Sequence, residues 1–243
     1  LGRAAPALAV GFALPEDVQV TAAAAYIVNL DPGLVVYEQD ADTARNVASL
    51  TKLMTALLLM ENVPDLEGTY ITAERQLFVP PITNADSSTA DIQPGESVRA
   101  IDMLYAMMLP SANEAAEAVG FYLSGGNLDN FYAMMNARAA ELGCTNTHFA
   151  STNGLIDMDE GNYSTAHDLA LIAQACWQFD IFRTVCGTRL YWMPFTEHSK
   201  HNHAEYPEQN PDAAYYIQSS NRMMDPGASV YRSYIKGIKT GST

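Results

Sequence analysis

The chain has 243 residues, 48% of them hydrophobic, enough to bury a sizeable core in one large or two small domains. Its formal net charge of -15 excludes nucleic acid as a partner, because phosphate binding needs a basic surface, and argues against adhesion to anionic lipid. It contains no run of about 18 apolar residues, so no membrane-spanning helix is expected.

In chain order, residues 4–14 are apolar but contain Pro6 and lack a basic flank, so they do not read as an intact signal peptide. The chain begins at Leu1, and an export signal is expected to have been removed already. Residues 22–30 (AAAAYIVNL), the turn Asp31-Pro32-Gly33 and residues 34–37 (LVVY) predict a β-hairpin. Residues 49–62 (SLTKLMTALLLMEN) are apolar almost all round and predict a buried helix. The stretch 80–97, rich in Pro, Gly, Asn, Asp and Ser, predicts a surface loop. Helical patterns follow over 101–109, 112–123 and 128–142, the last closed by Gly143 as a C-cap. Thr165-Ala166-His167-Asp168 matches a capping box and opens a helix through Trp177. Residues 189–195 (RLYWMPF) predict a strand, 197–214 a polar loop and 234–240 a strand. No internal repeat occurs. The order predicts one α+β domain over 1–243, with an antiparallel sheet built from both chain ends and a mainly helical region at about 53–186.

The cysteines are Cys144, Cys176 and Cys186, an odd count that excludes complete intramolecular pairing. Buried free thiols are expected, with a Cys176–Cys186 pair left open. The eleven methionines fall mostly at helix-core spacing and read as packing.

Three short motifs carry the chemistry. In Ser49-Leu50-Thr51-Lys52 the first and last residues share a helix face, so the amine reaches the serine oxygen. Burial and the positive end of a helix dipole lower a lysine's proton affinity, and a neutral lysine can activate a serine nucleophile. The ordinary alternative is a helix N-cap serine with a solvated lysine. A second match, Ser233-Tyr234-Ile235-Lys236, falls on the expected strand, where positions i and i+3 face apart. Ser-x-Asn occurs at Ser111, Ser151 and Ser219, but only Ser111-Ala112-Asn113 sits at a break between two expected helices. There Ser111 can relay a proton and Asn113 can orient substrate, or Ser111 simply caps a helix. Lys239-Thr240-Gly241 occurs once, where lysine and threonine can bind a carboxylate and glycine lets a substrate backbone approach, or a strand simply ends in a turn.

His198, His201 and His203, flanked by Glu197 and Glu205, lack periodic apolar support and cysteine, so they read as a solvated loop rather than a zinc site. No phosphate loop or paired-carboxylate signature is present.

With these motifs in this order, the chain resembles the serine-type D-alanyl-D-alanine carboxypeptidases, the low-molecular-weight penicillin-binding proteins. Residues 45–55 (RNVASLTKLMT) resemble the family's nucleophile segment. Residues 108–116 (MLPSANEAA) resemble its second motif, with Ala112 and Glu114 where Gly and Asp are common. Residues 149–155, 164–170 and 237–243 resemble further family segments. The resemblance implies a β-lactamase/transpeptidase-like fold and removal of the terminal D-alanine from peptidoglycan stem peptides ending in D-Ala-D-Ala. It implies Ser49 as nucleophile, Lys52 as base, Ser111 as proton relay, and Asn113 and Lys239 as positioning groups. Thr240 would hold the substrate carboxylate, and the N–H groups of Ser49 and Ser242 would form the oxyanion hole beside Gly241. β-Lactams would acylate the same serine. No metal or cofactor is implied, and the implied location is extracytoplasmic, on the outer face of the bacterial cytoplasmic membrane or secreted. Family members continue past the third motif with further strands and often a membrane anchor, so anchoring is expected only from a region beyond Thr243. A class A β-lactamase shares the motifs but needs a deacylating glutamate in a Glu-x-x-x-Asn segment that is not evident here. A non-catalytic wall-peptide binding module is the alternative of a different class.

Overall fold

A computed structural model describes residues 20–31, 33–194 and 214–242. The apolar segment 4–14, Pro32, Phe195, Thr243, the histidine cluster and nearly all of the expected loop 197–214 lie outside the described residues.

The centre is helical because three consecutive apolar segments can only be satisfied by packing on one another. Helix α1 (Lys52–Asn62) follows a 3-10 turn at Ala48–Thr51, and every residue from Lys52 to Met60 is buried. Helix α2 (Ala100–Met108) is buried along its whole length. Helix α3 (Asn113–Leu123) packs on both, and helices α4 (Leu128–Glu141), α5 (Ala166–Trp177) and α6 (Asp180–Cys186) surround them. Leu57, Leu59, Met103, Leu104, Met107 and Phe131 lie in this core with almost no exposure. Among the described residues no helix is long and apolar enough to cross a membrane.

The expected hairpin is present: β1 (Ala25–Asn29) pairs antiparallel with β2 (Leu34–Gln39), from Ala25↔Gln39 to Asn29↔Leu34, with a bulge after Ile27. Two further antiparallel pairs exist, β3 (Tyr70–Thr72) with β4 (Ser97–Arg99) and β5 (Leu190–Pro194) with β6 (Ala214–Gln218). The expectation of one sheet built from both ends is therefore corrected: among the described residues the strands form three separate two-stranded sheets. The strand expected over 234–240 is also corrected. Ser233 and Tyr234 lie in a turn, and among the described residues no ladder partner meets the following segment. An isolated extended stretch is not stable without a partner, and this one is held instead by side chains. Asn221 Nδ2 donates to the Gly237 carbonyl at 3.3 Å, and the Ser220 and Thr240 hydroxyls meet at 2.6 Å.

Three local expectations change with packing. The loop at 80–97 is not wholly superficial: Ala90, Ile92 and Glu96 are buried, and Glu114 accepts from Thr89 Oγ1 and Ala90 N at 2.7 Å each. Thr165 caps α5 through Asp168 N at 3.0 Å, but Asp168 does not complete the box. Its short carboxylate takes Asn146 N at 2.9 Å and Thr147 Oγ1 at 2.7 Å instead. A full capping box forms at Asp157–Glu160, where none was expected. Helix α6 and strands β3, β4 and β6 are too short for periodicity to reveal. The three cysteines are free and buried, as expected.

Candidate active site

The 3-10 turn carrying Ser49 leads directly into α1, so Lys52 is the first residue of a helix buried from that end. Lys52 Nζ lies 3.0 Å from Ser49 Oγ. It also donates to Asn113 Oδ1 at 2.7 Å and to the Asn153 carbonyl at 2.8 Å. The alternative of a solvated lysine is excluded, because Lys52 has no exposed surface. Burial first, and the nearby charge of Lys239 second, hold its amine well below the usual lysine range, against the opposing pull of Glu114 and Glu117.

The second motif sits where α2 gives way to α3. Ser111 is buried, has φ 71°, and its Oγ has no hydrogen-bond partner among the described residues. It caps nothing: the residue preceding α3 is Ala112, with no side-chain bond. A serine in the left-handed region costs of the order of 1–3 kcal/mol, and a buried unpaired hydroxyl adds to that cost. Asn113 is fixed from three sides, by Lys52, by Ser87 Oγ at 2.8 Å and by the Ser88 carbonyl, which accepts its N–H at 2.8 Å.

The third motif reaches the same place from the other end of the chain. Gly241 passes so close to the turn carrying Ser49 that a Cβ there would lie 3.2 Å from the Val47 carbonyl oxygen. Ser220, which hydrogen-bonds Thr240, also donates its N–H to the Leu109 carbonyl at 3.0 Å, tying the third motif to the second. Lys239 Nζ donates to the Thr240 carbonyl at 2.7 Å, and no hydrogen bond joins it to Ser111 or Asn113 among the described residues. Burial lowers the Lys239 amine to about 8.

Ser49, Ser111, Asn113, Thr240, Gly241 and Ser242 thus line one cleft of about 560 Å³. Lys52 bonds two of these lining residues, Ser49 and Asn113, and Lys239 bonds the carbonyl of a third, Thr240. The arrangement can deliver a serine hydroxyl, a nearby amine base and a free relay hydroxyl to one substrate carbonyl.

Sequence reasoning missed several neighbours. Asp86, Ser88, Gly154, Leu155 and Ser220 line the same cleft. Asn153 supplies a carbonyl to Lys52, and Glu117 accepts from Thr152 Oγ1 and from Asn153 Nδ2. The two Ser-x-Asn matches set aside, at Ser151 and Ser219, both flank the site. The resemblance of residues 149–155 was the available signal for the first, and none existed for Ser220. Glu117 stands four residues after Asn113, which puts both on one face of α3.

Comparison with known proteins agrees with this geometry. The family described as Peptidase S11, D-alanyl-D-alanine carboxypeptidase, matches residues 12–243. The chain is 28% identical over 224 residues to D-alanyl-D-alanine carboxypeptidase DacF of Bacillus subtilis, covering 91% of this chain and 51% of that protein. It is 34% identical over 167 residues to D-alanyl-D-alanine carboxypeptidase DacA of Escherichia coli, covering 67% of this chain and 40% of that one. The crystal structure of the Streptomyces K15 DD-transpeptidase superposes with a TM-score of 0.77 at 28% identity, covering 93% of this chain and 82% of that one. A D-alanyl-D-alanine carboxypeptidase from Mycobacterium tuberculosis gives 0.73 at 26% identity, with 91% and 73% covered. The chain spans about half the length of the Bacillus relative. With all three motifs gathered in one cleft and the match running over nearly its whole length, the chain belongs to the D-alanyl-D-alanine carboxypeptidase family.

Proposed function

We propose that this cleft performs D,D-carboxypeptidase chemistry on peptidoglycan stem peptides, through an acyl-enzyme on Ser49. In its neutral form Lys52 offers a lone pair to the Ser49 hydroxyl and takes its proton as Oγ attacks the carbonyl carbon between the two terminal D-alanines. The oxyanion rests on the N–H groups of Ser49 and Ser242. The proton passes through the Ser111 hydroxyl to the departing amine, the C–N bond breaks, and D-alanine leaves. Thr240 holds the terminal carboxylate, and Lys239 beside it supplies a positive field. Water then attacks the Ser49 ester, with Lys52 again as base, and returns the proton to Ser49 Oγ. A β-lactam amide enters by the same route and leaves Ser49 acylated. The substrate implies an extracytoplasmic location.

One observation carries this reading: a fully buried lysine amine 3.0 Å from a serine hydroxyl that opens into the cleft shared by all three motifs. Unpartnered Ser111 Oγ supports the relay, since a buried hydroxyl held in a strained backbone has no structural gain to offset its cost. The test is intact mass after incubation with a fluorescent penicillin. A single adduct on the wild-type chain and none on Ser49→Ala is expected. An adduct that survives in Ser49→Ala, or a folded wild-type chain that never gains one, overturns the assignment.

A further inference from the structure

Of the three oxygens around Lys52 Nζ, Ser49 Oγ and Asn113 Oδ1 belong to the motifs, and the third is the carbonyl of Asn153. That carbonyl belongs to a loop whose position depends on a carboxylate. Asn153 Nδ2 donates to Glu117 Oε2 at 3.3 Å, and Thr152 Oγ1 donates to the same oxygen. From the other side, Asn153 Oδ1 accepts from Ser151 Oγ and Leu155 N at 2.9 Å each. Thr55 Oγ1, on α1, donates to the Thr152 carbonyl at 2.6 Å. Helix α3 therefore reaches Lys52 twice, directly through Asn113 and indirectly through Glu117 and Asn153.

Glu117 is an expensive residue for this place. It is mostly buried, and it borders a half-open pocket of about 240 Å³ lined by Leu77, Leu128 and Tyr132 as well as by the polar Gln76 and Ser151. A leucine would pack there without desolvating a charge, and well-packed apolar residues often replace buried ionic groups at no loss of stability. A carboxylate at such a position calls for a partner that needs its charge.

We propose that Glu117 is a positioning residue for Lys52: through its bonds to Asn153 Nδ2 and Thr152 Oγ1 it fixes the loop carbonyl that receives the amine, and it places a carboxyl group behind that carbonyl. The proposal rests on the reading of Lys52 as the general base. The charged groups facing Lys52 are Lys239 from the third motif and Glu114 and Glu117 from α3. Glu114 is committed to the loop at Thr89, Ala90 and Ile92. Glu117 instead binds the side chain of the residue whose carbonyl Lys52 touches. The other titratable group facing Glu117 is Tyr132 on α4, whose phenol is pushed up to about 12 by burial first and by Glu117 second. Burial pushes Glu117 itself up, opposed by the Thr152 bond and the Lys52 charge.

The sign follows. Removing the anion leaves Lys52 with burial and Lys239 opposing protonation and Glu114 alone favouring it, so the amine loses its proton at lower pH. Glu117→Gln keeps the shape and an acceptor for Thr152 and Asn153 while removing the charge. Lys52 is titrated directly by NMR in the full chain labelled with ¹³C-lysine, its signal assigned by absence in Lys52→Arg. The Lys52 midpoint is expected to fall by roughly half a pH unit or more in Glu117→Gln. The acid limb of the penicillin-acylation profile moves with it. Glu117→Leu, of similar size but without polar atoms, should lower the midpoint likewise and also reduce the plateau rate, because Asn153 Nδ2 loses its acceptor. An unmoved midpoint in either variant, with wild-type melting, overturns the proposal even if the rate falls. A moved midpoint in a protein that penicillin never acylates upholds it, and counts against the Ser49 assignment alone.

Discussion

Two lysines stand next to residues that line the cleft, Lys52 fully buried and Lys239 partly so, and each carries an electrostatic cost for that position. A charged amine out of water is disfavoured, so both lose protons more readily than a lysine in solution. For Lys239 the consequence for stability has a definite sign. Its folded value of about 8 lies below the unfolded value of 10.5, so between these limits the unfolded chain binds the extra proton. Stability contributed at this site therefore rises with pH across that window and is flat below it. Buried cysteines and tyrosines titrate with the opposite sign at high pH, so the comparison must be with a variant lacking only this amine. The melting temperature of wild type relative to Lys239→Met is expected to climb from pH 8 to 10. A constant difference would mean that Lys239 stays charged in the folded state. Ser111 belongs to the same scale: the observed outlier is its φ of 71° with an orphan hydroxyl, and the relay role is inferred from it.

At the scale of elements, the turn carrying Ser49 is clamped between two glycines from distant parts of the chain. Gly154 has φ +83°, and a Cβ there would lie 1.8 Å from the Ala48 carbonyl oxygen and 2.9 Å from Thr51 Oγ1. Ala48 itself has φ 43°, so the turn is strained and depends on its neighbours to keep it. The loop at 151–155 thus does two things. Its Asn153 carbonyl receives Lys52, and its Gly154 backbone presses on the turn bearing Ser49. Gly154→Ala must move backbone rather than a flexible side chain. A loss of about 2–4 kcal/mol in urea unfolding is expected, with penicillin acylation lowered more than tenfold in whatever folds. Wild-type stability with a wild-type acylation rate would show that the turn adapts freely.

Over the whole molecule, order is distributed unevenly. Helices α1 and α2 bury nearly all their side chains and α3 most of them, and their backbone bonds are closed within each helix. The third-motif segment has neither advantage, since its backbone meets no ladder and it is held by a few side-chain bonds and the packing of Gly237 and Gly241. Hydrogen exchange should follow this division. Amides within α1–α3 are expected to exchange slowest, and those of 234–242 to be largely exchanged while the helices remain protected. Protection of 238–242 comparable to α1 would reveal backbone pairing not seen here.

The sequence by itself picked out Ser49, Ser111, Asn113 and Thr240 to Ser242, which the fold brings to one cleft, and suggested the chemistry proposed for them. The order of Ser49, Lys52, Ser111, Asn113, Lys239, Thr240 and Gly241 was readable because each motif is a short run with a chemical meaning. The helices containing 52–62, 100–108, 113–123 and 128–141 were readable because each is a run rich in Leu, Met and Ala, good helix formers, and 52–62 is apolar almost all round. Tertiary structure alone decided the rest, because those features depend on what lies across space. The segment 234–240 alternates like a strand yet meets no ladder, and a strand is a property of pairs. Asn153, Gly154 and Ser220 enter the site through a carbonyl, a missing Cβ and a loop contact, and none of these leaves a mark on residue type. Glu117 is an unremarkable glutamate until the fold sets it behind Asn153, where burial makes its single charge count.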